Sequence, residues 1–401
     1  YEVDLMKVVF ISNFINHHQL PFSKEMIKLI GDGYRFIATE PIAQERLDLG
    51  YEDMNRKYSF VVCTYDGEEQ KELAKKLIDD ADIVIQGGSS TEWIKNRLEN
   101  TDKITFRYSE RLFKLGYIRL LDPRVLRNSY NYHTKYANKN FYLLCAGAYV
   151  AGDCRIIHAY PDKMFKWGYF PEIIKYESID TLLSEKETNS LMWAGRFIDW
   201  KHSEHAIEMA KRLKKDEIQF KLTMVGTGPL LSQMKEEVCK NGLDDCVEFT
   251  GALSPVEVRR LMEKSSIYLF TSDYNEGWGA VLNEAMNSGC AVLANHAIGA
   301  VPFMMKDGLN GRVYQNGRLD EMYSLLRSMT DDPELCKKYG KEAYKTVCES
   351  WTPQEAAKRL VSLSEALLNG KDPKALYSDG PCSVAVPIAQ SKQYKQIKGA
   401  F

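Results

Sequence analysis

Short apolar runs alternate along the chain with longer stretches in which apolar positions recur every three or four residues. The runs KVVFIS from Lys7, YRFIAT from Tyr34, YSFVVCT from Tyr58, ADIVIQGG from Ala81, KITFRYS from Lys103 and NFYLLCAGA from Asn140 are apolar on both faces, and several end in Gly, Ser or Thr. Strands of that kind belong in a parallel sheet covered by helices, because a half-exposed strand would alternate. The first series ends with WGYFPE at Glu172. Residues 173–188 are polar and poorly patterned, and read as a hinge. A second series then runs through NSLMWAGR, QFKLTMVGTGP, DCVEFTGA, SSIYLFTS, GCAVLANH and GRVYQNG, with the helical patterns SEHAIEMAKRLKK and SPVEVRRLMEK between them. Ser203 is the expected N-cap of the first of these helices, and Ser254 with Glu257 has the spacing of a capping box in the second. The pattern predicts two α/β domains, residues 6–172 and 189–350, facing across a cleft. A helix over 351–370 and an irregular tail over 371–401 complete the chain.

Composition changes this picture little. A chain of 401 residues suits two domains, and its net charge of -2 argues against bulk nucleic-acid binding. Nine cysteines are scattered without a CxxC pair, as expected of free thiols in a reducing compartment rather than a zinc site. Met6 precedes the first strand, and no secretory signal is visible. The longest apolar stretch, FYLLCAGAYVAG, has 12 residues, too few to span a bilayer. The expected location is cytoplasmic, with the inner membrane face as a further place.

Ligands of parallel sheets bind at the C-terminal ends of strands, so the strand-end loops hold the candidate chemistry. In YLFTSDYNEGWGAVLNEAMNSG a strand over Ile267–Phe270 runs into a loop with Glu276, Gly277, Trp278 and Gly279. A helix is expected from about Gly279, carrying Ala280 and Glu284 and stopped by Gly289. Glycines let backbone amides approach a ligand, and a helix start favours an anion. Glu276 can accept sugar hydroxyls, and Glu284 can take two hydroxyls of a ribose. After the strand NSLMWA, Arg196 and Lys201 supply two cations suited to a diphosphate. Gly226 and Gly228 in VGTGP permit a further close approach.

The segment from Glu276 to Glu284 resembles the ExxxxxxxE motif of retaining glycosyltransferases of the GT-B fold, and more narrowly of glycosyltransferase family 4. That resemblance implies two Rossmann-like domains, with the C-terminal helix crossing back to the first. It places the donor sugar at Glu276, the ribose at Glu284 and the diphosphate at Arg196 and Lys201. Gly226 and Gly228 would border the nucleotide, and Gly251, Ala252 and Leu253 would close over the base through backbone atoms. The base is therefore not legible in side chains, although a UDP-sugar is favoured over a GDP-sugar. No metal or other cofactor is implied, and no convincing Asp-x-Asp pair is present. The cations would stabilise the leaving diphosphate, whose oxygen would take the acceptor proton. Pro302, Phe303 and Met304 stand where the family commonly has a glutamate, a departure that bears on sugar selectivity.

The first domain is less informative. His17 and His18 stand after the first strand where many members of the family this chain resembles have a glycine-rich loop, and His18 is read either as a contact for phosphate, sugar or acceptor or as a cap or brace of the first helix. Glu110, beside Tyr108 and Arg111, is the expected acceptor-side acid. Asp153 is read as touching the acceptor or holding the linker. Between residues 103 and 139, Lys103, Arg107, Arg111, Lys114, Arg119, Arg124, Arg127, Lys135 and Lys139 are interleaved with aromatics, against only Glu110 and Asp122. That region is expected either to meet a membrane carrying a lipid-linked acceptor or to be an ordinary basic face. The partners expected are a nucleotide-sugar donor and a saccharide or lipid-linked acceptor, without nucleic acid. Competing readings are a nucleotide-sugar 2-epimerase of the same fold and a non-catalytic sugar-nucleotide-binding partner. The absence of a GxGxxG fingerprint with a following acid from both first strands argues against a dehydrogenase.

Overall fold

A computed structural model describes residues 6–44, 47, 52–114, 116–387, 394, 395 and 398. The chain divides into two compact units, Tyr1–Glu172 with Trp351–Pro387, and Ile173–Ser350 with Ile388–Phe401. Most of the expected tail therefore belongs to the first unit. The tail's remaining residues, apart from 394, 395 and 398, lie outside the described residues.

The first unit is built on β1 (Val8–Ser12), β2 (Tyr34–Ala38), β3 (Val61–Cys63), β4 (Ile83–Gln86), β5 (Ile104–Ser109), β6 (Phe141–Ala146) and β7 (Met164–Trp167). They form one sheet in the order β3-β2-β1-β4-β5-β6-β7. All neighbours are parallel. Strand β7 has no counterpart in the sequence reading. It follows a bend in which His158, Tyr160 and Asp162 take positive φ, so no glycine announces the turn. The sheet edge at β7 is covered by the tail. Lys166 N–H donates to Ser383 O at 2.7 Å, and Ala385 N–H donates to Met164 O at 3.0 Å. An antiparallel bridge joins Phe165 to Val384. Covering an edge in this way blocks pairing with foreign strands. Helix Pro353–Leu368 returns to pack on helix Leu20–Ile30, and Trp351 stacks on Phe170.

The second unit has β8 (Glu187–Ala194), β9 (Lys221–Val225), β10 (Val247–Gly251), β11 (Ser265–Phe270), β12 (Ala291–Asn295) and β13 (Arg312–Tyr314). Their order is β10-β9-β8-β11-β12-β13, again parallel throughout. Strand β12 is buried along its whole length, which explains its unbroken apolar run. The segment read as a hinge holds a helix, Ile179–Ser184, capped by the Ser178 side chain. Its Leu183 is buried and lies close to Gly289 and Gly340. One buried leucine in a polar stretch is too weak a period to be read from sequence.

In each sheet the order reverses beside the first strand: β1 lies between β2 and β4, and β8 between β9 and β11. Connections leave those strands in opposite directions and open a crevice at their C-terminal ends. Among the described residues no helix is long and apolar enough to cross a bilayer.

Candidate functional site

The crevice of the second unit is framed by loops whose backbones touch. Gly195 N–H donates to Val225 O at 3.0 Å, Phe197 N–H to Thr227 O at 2.9 Å and Gly226 N–H to Gly251 O at 2.8 Å. The loops after β8, β9 and β10 are thereby stitched edge to edge. Gly226 makes this possible: at φ 129°, a β-carbon there would fall 1.9 Å from Gly195 O. Gly251, with φ 74°, faces open space instead. Leu253 beyond it is half-buried.

Lys201 and Glu276 meet in this crevice. Their side chains form an ion pair and are 15% and 11% exposed. Glu276 also accepts from Ser272 Oγ at 3.0 Å. Lys201 is held from behind: Trp193 Nε1–H donates to Thr271 Oγ1 at 2.9 Å, and Thr271 Oγ1 donates to Lys201 O at 2.6 Å. A largely desolvated pair of this kind is costly to break from one side, because the abandoned charge has little water. Arg196 differs. It is exposed, and among the described residues no group bonds its guanidinium, so it is available to an incoming anion.

The Glu276 loop is braced from below. Gly299 N–H donates to Glu276 O at 3.2 Å, and Ala300 N–H donates to Trp278 O at 3.0 Å. Trp278 is fully buried, and its indole N–H donates to Asn283 Oδ1 at 3.0 Å. The tryptophan expected to line the ligand site thus faces the core, leaving only main-chain atoms for a ligand. Gly279 is required by crowding, since a β-carbon at its φ of 93° would lie 2.6 Å from the Phe270 ring. The helix after it begins at Val281 and ends at Asn287, later and shorter than the sequence suggests. Its dipole is correspondingly a small term. Glu284 stands on this helix, half-buried. Burial raises its carboxyl above the usual range, against the pull of Arg259. Among the described residues no side chain hydrogen-bonds it. A desolvated, unengaged carboxylate is suited to accept hydroxyl donors.

The helix Ser203–Lys215 is not capped by Ser203. His202 occupies the cap position in the left-handed region, φ 50° and ψ 51°. That conformation costs a residue with a β-carbon about 1–2 kcal/mol. Two hydrogen bonds hold it: His202 Nε2 lies 3.3 Å from Asp273 Oδ2, and Nδ1 lies 2.8 Å from Glu204 Oε1. They push the imidazole up to about 9, Asp273 contributing most. His205 packs its ring parallel to that of His202. The sequence signal, His-x-x-His with an intervening glutamate, is visible in KHSEH, yet Asp273 joins it from 71 residues away.

In the first unit, His18 and Glu110 share a cluster. His18 stacks on Tyr169 with ring centroids 5.5 Å apart. The Tyr169 hydroxyl donates to Glu110 Oε1 at 2.6 Å, and Lys114 pairs with the other carboxylate oxygen. Tyr169 was not singled out from sequence. Asp153 neither reaches an acceptor nor holds a linker. It is fully buried and accepts from Arg111 Nη2 at 3.0 Å, from the amides of Leu112 and Phe113 and from the Tyr117 hydroxyl. Its work is to fold the 111–117 loop, and Arg111 is consumed in that.

The basic stretch is correspondingly narrower than its composition implies. Lys103 donates to Asp79 O, Arg107 to Thr91 and Lys135 to Glu99, while Lys139 pairs with Asp102. Arg119, Arg124 and Arg127 remain exposed on the segment formed by the short 3-10 helix Tyr117–Leu121 and helix Pro123–Tyr132. Beside them stand Ile118, 75% exposed, and Leu121, 80% exposed, with Leu126, Tyr130 and Tyr132 also open to solvent. Leu115 lies outside the described residues.

The second unit has counterparts among known proteins. The family described as Glycosyl transferases group 1 matches residues 175–346, which lie within the second unit. An uncharacterized glycosyltransferase of Methanocaldococcus jannaschii is 29% identical over 203 residues, 49% of this chain and 51% of the relative. The amylovoran biosynthesis glycosyltransferase AmsK of Erwinia amylovora is 28% identical over 126 residues, 30% of this chain and 31% of that one. The chain thus spans about half, or less, of the length of these relatives. Among solved structures, HepE of Anabaena in complex with UDP aligns with a TM-score of 0.66 at 13% identity, covering 90% of this chain and 100% of that chain. At that identity the likeness shows a shared fold.

Proposed function

We propose that this chain, whose residues 175–346 form a glycosyl transferases group 1 domain, moves a sugar from a nucleotide-diphosphate donor to a saccharide or lipid-linked acceptor. The observation that carries the reading is the Lys201–Glu276 ion pair, largely buried between glycine-built strand-end loops, with Arg196 exposed just past the end of β8 and the Glu284 carboxyl half-buried on the helix that follows the Glu276 loop. Two cations beside two acids provide for the two ends of one ligand. Arg196 and Lys201 take the diphosphate. Glu276, released from Lys201 when the phosphate binds, accepts hydroxyls of the sugar. Glu284 accepts the ribose. As the glycosyl bond breaks, charge grows on the diphosphate oxygens, and Arg196 and Lys201 stabilise it without help from a divalent ion. We assign retention at the anomeric carbon to the same reading, with the leaving oxygen accepting the acceptor's proton. A UDP-sugar is the preferred donor, supported by the complex of HepE with UDP. Synthesis of a polysaccharide or glycolipid is the setting, supported by the role printed for the amylovoran enzyme.

The acceptor side is assigned to the His18–Tyr169–Glu110 cluster. A lipid-linked acceptor would be met by the exposed Ile118 and Leu121 with Arg119, Arg124 and Arg127, which combine apolar anchors with charge for anionic headgroups.

The test is release of nucleotide diphosphate from a panel of nucleotide sugars, with EDTA present, by the full chain and by Lys201→Ala and Glu276→Ala. One donor should be turned over, and each variant should lower the rate about 10²–10³-fold, as loss of a transition-state charge partner does. NMR of the product reads the anomer. Saturable binding of one donor with no release in any acceptor mixture would instead support a non-catalytic partner. Neither binding nor release across the panel would overturn the assignment of these residues.

A further inference from the structure

The cluster beside Lys201 has a chemistry that the transfer reaction does not use. One donor atom from each of His202, Glu204 and His205 lies within 4.8 Å of the others. His202 Nδ1 is 2.8 Å from Glu204 Oε1, and His205 Nε2 is 3.8 Å from the same oxygen. Donors bound at about 2.0–2.2 Å around a tetrahedral ion are separated by roughly 3.3–3.6 Å, so these separations bracket what an ion needs. The rings are already parallel, 6° apart with centroids at 4.6 Å.

Two further observations point the same way. First, the opposite nitrogen of His202 meets a carboxylate, Asp273 Oδ2 at 3.3 Å. Asp273 is itself fixed by the Asn275 amide at 2.8 Å and the Asn275 side chain at 2.9 Å. A carboxylate on the far nitrogen is what orients a metal-bound imidazole and raises its basicity. Second, His205 is largely buried, with 16% of its side chain exposed. Its Nδ1 has no hydrogen-bond partner, and its Nε2, the atom facing the cluster, lies 3.8 Å from Glu204 Oε1, beyond hydrogen-bond reach. Nε2 is therefore not committed to a hydrogen bond among the described residues and can act as a ligand atom.

We propose that His202, Glu204 and His205 bind a zinc-class transition-metal ion, with Asp273 as the outer carboxylate and water completing the coordination. Two imidazoles and one carboxylate suit Zn²⁺, Co²⁺ or Ni²⁺, while Mg²⁺ and Ca²⁺ prefer all-oxygen sites. The ion would tie together two loops. His202 directly follows Lys201, and Asp273 O accepts the Glu276 amide at 3.1 Å. Occupation therefore braces the loops that carry both members of the Lys201–Glu276 pair. The site stands on its own residues and does not depend on the transfer reading.

The experiment is a Co²⁺ titration of the untagged full chain after EDTA dialysis, read by visible absorption, with melting temperature followed in parallel. One Co²⁺ per chain should bind, show ligand-field bands without thiolate charge-transfer absorption, raise the melting temperature and be displaced by Zn²⁺. His202→Gly keeps a backbone at ease in the left-handed region, so the variant folds, and it should lose binding at least 100-fold. His205→Ala should do the same, and Asp273→Asn should weaken binding about 10–100-fold. Binding unchanged in His202→Gly and His205→Ala would overturn the proposal. So would thiolate absorption abolished by Cys239→Ser, or no saturable Co²⁺ binding at all.

Discussion

At the scale of single residues, burial moves the ionisation of an imidazole far from its usual range. His133 is buried, its Nδ1 lies 2.9 Å from the Tyr160 hydroxyl, and desolvation, with a smaller push from Arg107, lowers it to about 3. An unfolded histidine titrates near 6.5, so the unfolded chain binds this proton first and stability falls as pH drops below that value. By pH 5 the loss is about 2 kcal/mol. Urea unfolding at pH 7 and pH 5 should show that difference in the parent chain and a smaller one in His133→Asn. None of this is legible in a linear sequence: His133 looks like any polar residue of a basic stretch. Glu276, Glu284, Arg196 and Lys201 are legible, because each stands at a fixed distance from a strand end. What cannot be read is that Lys201 and Glu276 already neutralise one another across 75 positions, or that Trp278 turns inward.

At the scale of elements, glycine placement decides how loops assemble. Gly226→Ala puts a methyl group on a backbone oxygen at a φ that side chains avoid. It should lower stability on the order of 3 kcal/mol and abolish nucleotide binding, measured by denaturant melts and calorimetry. Gly226 was visible as half of a GxG turn, but only the hydrogen bonds to its neighbours show which loops it joins. The capping box of Ser254 and Glu257 is present as read, the serine side chain accepting the Glu257 amide, because capping is local. The Ser203 cap failed for the opposite reason. Asp273, a distant carboxylate, stabilises His202 in the left-handed cap position. The Tyr117–Tyr132 segment invites a direct test. Ile118→Asp with Leu121→Asp should abolish flotation with anionic vesicles while leaving the melting temperature within about 1 °C, since exposed substitutions of this kind change stability little.

At the scale of the whole molecule, the first unit is completed by residues from the far end of the chain. Helix Pro353–Leu368 covers helix Leu20–Ile30 and the 382–385 stretch covers β7. A fragment of residues 1–172 should therefore aggregate. A fragment of residues 173–350, which keeps all six strands of its sheet, should unfold cooperatively in a calorimeter. The amino-acid sequence by itself determined the two parallel-sheet units, nearly all of their strands and the strand-end positions of the site acids and cations. These follow from short-range periodicity and from residues that punctuate it. Tertiary structure alone decided the β7 edge and its cover, the helix inside the apparent hinge, the Arg111–Asp153 anchor and the imidazole–carboxylate cluster beside Lys201. Each of these depends on burial or on a partner dozens of residues away, and the strength of a charge or hydrogen bond is set by the solvent it has lost.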